Sequence, residues 1–65
     1  MPADLDLSSP QTIHIVGIGG AGMSAIATVL ARQGHQVSGS DIKPSRELDR
    51  LITMGVTITI GHTVE

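Results

Sequence analysis

The pattern of apolar and polar positions changes period along the chain. Thr12-Ile13-His14-Ile15-Val16 is a β-branched run cut off by Gly17, brief and sharply bounded, which predicts a buried strand. From Gly22 the period lengthens: Met23, Ile26, Ala27, Leu30 and Ala31 recur at helical spacing and predict one apolar stripe of an α-helix, with Ser24, Thr28 and Arg32 on the opposite side. That helix is expected to end at Gln33, because Gly34 suits the position just past a helix C-terminus. Residues 36–40, Gln-Val-Ser-Gly-Ser, read as a second strand that Asp41 ends. Lys43-Pro44-Ser45 is a turn in which Ser45 can cap a second helix and Glu47 lies in its first turn. Leu48, Leu51 and Ile52 are its expected buried face, and Gly55 marks its stop. Val56, Ile58 and Ile60 then alternate with Thr57 and Thr59, the period of a strand with differing faces. Residues 62–65 read as a loop and the first turn of another helix, with Thr63 as its cap.

The predicted order is β-α-β-α-β, an α/β arrangement forming a Rossmann-like half of a doubly wound parallel sheet, with right-handed crossovers and strand order 3-2-1. Residues 1–11 are polar, hold two prolines and read as a flexible leader; residues 12–65 form the partial domain. In that order the first strand keeps one edge unpaired, which with Glu65 following so soon after the third strand predicts a truncated domain.

Composition narrows the classes. The 65 residues hold no Phe, Tyr, Trp or Cys, 8 Gly, 40% hydrophobic and 15% charged residues; this disfavours disorder and leaves the small core without aromatic or disulfide support. Four basic residues against six acidic ones, a net charge of −2, exclude the electrostatic footprint of a nucleic-acid binder. The acidic N-terminus lacks the basic start of a secretory signal, and no apolar stretch approaches membrane-spanning length, so a cytoplasmic setting without membrane contact is expected. No Cys, H-x-x-x-H pattern or acidic pair at ligand spacing supports a metal site, and no nucleophile has a base beside it. His14 and His35 read as packing or surface residues.

The candidate chemistry lies in Gly17-Ile18-Gly19-Gly20-Ala21-Gly22-Met23-Ser24. Gly17, Gly19 and Gly22 form G-x-G-x-x-G between a predicted strand and a predicted helix. In such a loop the first glycine permits the turn, the second lets backbone approach a diphosphate, and the third lets helix and strand pack closely. Free N–H groups at the helix start then face the anion, with Ser24 a further candidate donor. The same glycines would also serve a bare βα turn. Met23 stands where a Walker loop needs Lys, which excludes a cradle for the phosphates of ATP. Asp41, nineteen residues beyond Gly22 at the end of the second strand, is placed to accept from ribose hydroxyls, or is simply a turn Asp. His62 follows the third strand on the same sheet edge.

These residues carry a family resemblance. Residues 13–24, then Val37-Ser38-Gly39-Ser40-Asp41, then Gly61-His62, resemble the start of the Mur ligases, most closely the member that adds L-alanine to UDP-N-acetylmuramate. The resemblance implies a cytoplasmic enzyme of peptidoglycan synthesis, hence of cell-wall biogenesis, cell shape and division, whose N-terminal domain holds the UDP portion of its substrate. By position, Gly17, Gly19, Gly20, Ala21, Gly22 and Met23 would form the loop around the diphosphate, with Asp41 and His62 beside the uridine. The family's ATP and magnesium sites and its L-alanine site would lie beyond Glu65, in two further domains absent from these residues. The segment alone would then bind no cofactor and contain no catalytic residue; the resemblance assigns it no oligomeric state.

Three alternatives stay open. An NAD-dependent oxidoreductase half-domain meets the same glycine and Asp41 fingerprint, although Gly20 and the Gly39-Ser40 pair are unusual there. A murein tripeptide ligase has a less similar glycine loop. A non-catalytic nucleotide-binding module, complete at this length, sits poorly with an unpaired strand edge.

Overall fold

The computed structural model describes residues 8–61. They form β1 (Thr12–Val16), α1 (Ala21–Arg32), β2 (Gln36–Asp41), α2 (Arg46–Thr53) and β3 (Thr57–Ile60). All three strands are parallel in the order β1-β2-β3, so the predicted Rossmann-like half-sheet is observed with β2 central. Ile15 lies opposite Gly39 and Val16 opposite Ser40, while Asp41 pairs with Ile60. This register brings the C-terminal ends of the strands, where such folds bind ligands, to one edge.

The core is aliphatic: Ile15, Ile18, Ala27, Val37, Leu48, Leu51 and Val56, with Ile13, Leu30, Ala31 and Ile58 packed against it. Ile18, a loop residue, is fully buried. It sits against Gly39, where a Cβ would lie 2.5 Å from Ile18 Cδ1 and 2.7 Å from the Ile15 carbonyl oxygen. Gly39 is therefore what lets the loop side chain drop onto the sheet.

The helices differ from the periodicity in which residues they bury. Ala27 is the residue of α1 that is wholly buried, Met23 is exposed, and Ile26 is 51% exposed. Ser24 and Thr28, expected on the outer side, are half-buried. Their hydroxyls donate back to the carbonyls of Ala21 (3.1 Å) and Ser24 (2.9 Å), which satisfies them without a partner on the sheet. In α2, Leu48 and Leu51 are buried as expected, whereas Ile52 is 54% exposed. Ser45 caps α2 as predicted, its Oγ accepting from the Leu48 N–H at 3.3 Å. β3 starts at Thr57, so Val56 is buried just before it, and Ile60 is exposed.

His35, in the turn before β2, is only 6% exposed. Its Nδ1 accepts from the Gln11 N–H at 3.1 Å, and the Gln36 N–H donates to the Gln11 carbonyl at 2.8 Å. The acceptor role of Nδ1 puts the ring proton on Nε2, which is buried without a hydrogen-bond partner. His14 is exposed on the other face of the sheet, 2.9 Å from Ser38 Oγ.

Candidate functional site

The loop between β1 and α1 is built from backbone hydrogen bonds. Gly17 has φ +72°, a left-handed conformation that only glycine adopts freely. The turn this creates lets the Gly17 and Ile18 N–H groups both donate to the Ser40 carbonyl, at 2.8 and 3.1 Å. The Gly20 N–H then closes onto the Gly17 carbonyl at 3.0 Å, and the Gly20 carbonyl accepts the Ser24 N–H at 2.7 Å as α1 begins.

Gly20 is the N-cap of α1 and has no side chain to cap it. The N–H groups of Ala21, Gly22 and Met23 stand at the start of the helix, with no preceding turn to accept them. All three residues are exposed, and neither acidic side chain nor capping hydroxyl occupies the first turn. The helix dipole adds a favourable field for an anion there. Ser24 commits its hydroxyl to the Ala21 carbonyl.

Asp41 reaches into this loop. Its Oδ2 accepts from the Gly19 N–H at 2.7 Å and its Oδ1 from the Ile42 N–H at 2.7 Å. A Cβ on Gly19 would lie 2.6 Å from Asp41 Oδ2, while one on Gly22 would meet nothing within 4 Å. The close approach expected at Gly22 between helix and strand is thus not seen there, Gly39 instead makes room for the loop residue Ile18, and Gly19 is small because a carboxylate lies against it. The Asp41 carbonyl accepts the Gly61 N–H at 2.8 Å, tying the end of β3 to the same place. His62 lies outside the described residues.

Gly17, Gly19, Gly20 and Asp41 share a cleft of about 330 Å³ with Lys43, Pro44 and Ser45. The structure brings together these four sequence-predicted residues, and the exposed start of α1 follows directly. It adds Lys43 to Ser45, which the sequence marks only as a turn; the signal that pointed to them is their position right after Asp41 on the ligand edge of the sheet. A second hollow, on the outer side of α1, is lined only by Ala25, Ile26, Val29 and Leu30 and offers no polar group for a small-molecule site. Among the described residues there is no group of three or more His, Cys, Asp or Glu that could hold a metal ion, and no helix is long and apolar enough to cross a membrane.

A profile described as "Mur ligase family, catalytic domain" matches residues 12–65. The chain belongs to the Mur ligase family. A UDP-N-acetylmuramate–L-alanine ligase of Rubrobacter xylanophilus is 58% identical over 50 residues, covering 77% of this Mur ligase chain and 11% of that protein. The chain therefore spans a small part of the length of the curated relative it matches. The glycine loop, Asp41 and the cleft all fall inside the part of this Mur ligase chain matched by the family profile.

Proposed function

We propose that this chain is the N-terminal, UDP-holding part of a cytoplasmic ATP-dependent ligase that joins L-alanine to UDP-N-acetylmuramate in peptidoglycan synthesis. The observation that carries this reading is the convergence of the glycine loop, through Gly17, Gly19 and the α1 N-cap Gly20, with Asp41 on one cleft at the C-terminal edge of a parallel sheet. A UDP diphosphate makes the same demands as a dinucleotide there: backbone that can come close, and unpaired N–H groups at a helix start. The N–H groups of Ala21, Gly22 and Met23 take the diphosphate, Gly17 and Gly20 give it room, Gly19 makes room for the Asp41 carboxylate that holds the loop, and Lys43 supplies positive charge at the cleft wall. The family resemblance assigns Asp41 and His62 to the uridine.

ATP and magnesium do not fit this loop, because Met23 replaces the Walker lysine and no metal-ligand group is present among the described residues. Their sites, the L-alanine site and the chemistry of bond formation belong to other parts of the protein. The segment alone binds UDP-N-acetylmuramate and is inactive as a ligase. The relative's name and the match over the loop support this reading.

The test is a titration of the full-length protein that contains this segment, followed by amide NMR, with UDP-N-acetylmuramate and separately with NAD. Shifts confined to residues 17–24 and the Asp41 region with the UDP-sugar alone support the proposal. The same shifts with NAD alone would replace it with a dinucleotide-binding half-domain.

A further inference from the structure

We propose that Asp41 is a positioning residue, which sets the glycine loop through the Gly19 N–H and steers the diphosphate onto the start of α1. This rests on the reading of the cleft as a UDP-sugar site.

Both Asp41 carboxylate oxygens are already engaged, Oδ2 by Gly19 and Oδ1 by Ile42, each at 2.7 Å. These are short, charge-assisted hydrogen bonds. The loop is held from the same strand end at two further points, since the Gly17 and Ile18 N–H groups both donate to the Ser40 carbonyl. Three successive N–H groups of the loop, those of residues 17, 18 and 19, are therefore spent on Ser40 and Asp41. The space at Gly19 is shaped by this clamp: the missing Cβ would lie 2.6 Å from Oδ2, and the next obstacle, Leu48 Cδ2, is 3.4 Å away.

Two consequences follow for the ligand. The Gly19 N–H is unavailable to a diphosphate, and the carboxylate beside it repels one, so the diphosphate is directed to the N–H groups of Ala21, Gly22 and Met23. Each Asp41 oxygen accepts a single backbone N–H and keeps acceptor capacity, so a ribose hydroxyl can still be accepted without unmaking the clamp. Asp41 thus acts on the diphosphate through the loop.

The test is steady-state kinetics on the full-length ligase that contains this segment, with Asp41→Ala, Asp41→Asn, Gly19→Ala and the Asp41→Ala/Gly19→Ala pair. Asp41→Ala removes both charge-assisted bonds, and loss of the one that holds the loop at Gly19 predicts a KM for UDP-N-acetylmuramate raised about tenfold, with kcat and the KM for ATP held within about twofold. Asp41→Asn, which keeps one acceptor oxygen, is expected to fall between. Gly19→Ala raises the same KM, yet the double variant is no worse than the poorer single one, because the new Cβ fills the space Oδ2 has left. In competition assays Asp41→Ala weakens inhibition by UDP as much as it weakens substrate, and by more than it weakens inhibition by uridine, which lacks the diphosphate. Multiplying effects in the pair, an equal loss for uridine, or an unchanged KM in Asp41→Ala would each overturn the proposal. If Asp41→Ala does not fold, Asp41→Asn compared between UDP and uridine decides. A wild-type enzyme that does not use the UDP-sugar at all would instead overturn the reading of the cleft.

Discussion

Gly39 faces Ile15 across β1 and β2, and the Ile18 side chain occupies the space where its Cβ would be. Gly39→Ala is therefore expected to cost about 1–3 kcal/mol through overpacking against a side chain and a carbonyl, read as a lowered urea midpoint of the full-length protein. Gly22 gives the opposite case, since its Cβ would enter open space in the first turn of a helix. There Gly22→Ala is expected to raise stability by up to about 1 kcal/mol while weakening UDP-sugar binding at the exposed N–H groups, two readouts that move in opposite directions. The glycine spacing of residues 17, 19 and 22 was legible in the sequence, as was Asp41. What each glycine makes room for was not legible, because Gly19 answers to a carboxylate 22 positions away and Gly39 to a residue of the preceding loop.

Both helices were legible from their apolar period, and so was the centre of the α2 buried face at Leu48 and Leu51, whereas that of α1 was not. A stripe of five apolar residues predicts which side of α1 is apolar, but only Ala27 among them is fully buried. Ala27→Leu is expected to destabilise by about 1–3 kcal/mol, whereas Ile26→Ser, at a half-exposed position, should cost less than about 1 kcal/mol; paired denaturation curves check both. Ser24 and Thr28 tolerate partial burial because each hydroxyl is satisfied within the helix. In α2 the cap was legible at once, since Ser45 precedes the helix and Glu47 and Asp49 lie in its first turn. Ser45→Ala is expected to cost about 1 kcal/mol by freeing the Leu48 N–H, seen as a lower melting temperature with an unchanged KM for ATP.

At the scale of the whole molecule, every buried residue of the core lies between one face of the sheet and two short helices. The other face carries His14, Val16, Ser38, Ser40, Thr57 and Thr59, with Val16 69% exposed. β1 is paired on the β2 side alone among the described residues. A core of seven aliphatic side chains without an aromatic ring, plus a buried His35 Nε2 that lacks a partner, predicts marginal stability. The isolated 65-residue chain should melt broadly near or below room temperature by circular dichroism, and a sharp two-state transition well above it would contradict this. The sequence by itself determined the order of elements, the parallel sheet and the place of the glycine loop, because each depends on local period, capping and glycine spacing. Only the tertiary structure decided that Ile18 is core, that His35 is buried and that Asp41 holds Gly19. Those outcomes depend on strand register and on which surfaces meet across the sheet, and residues far apart in the chain settle them together.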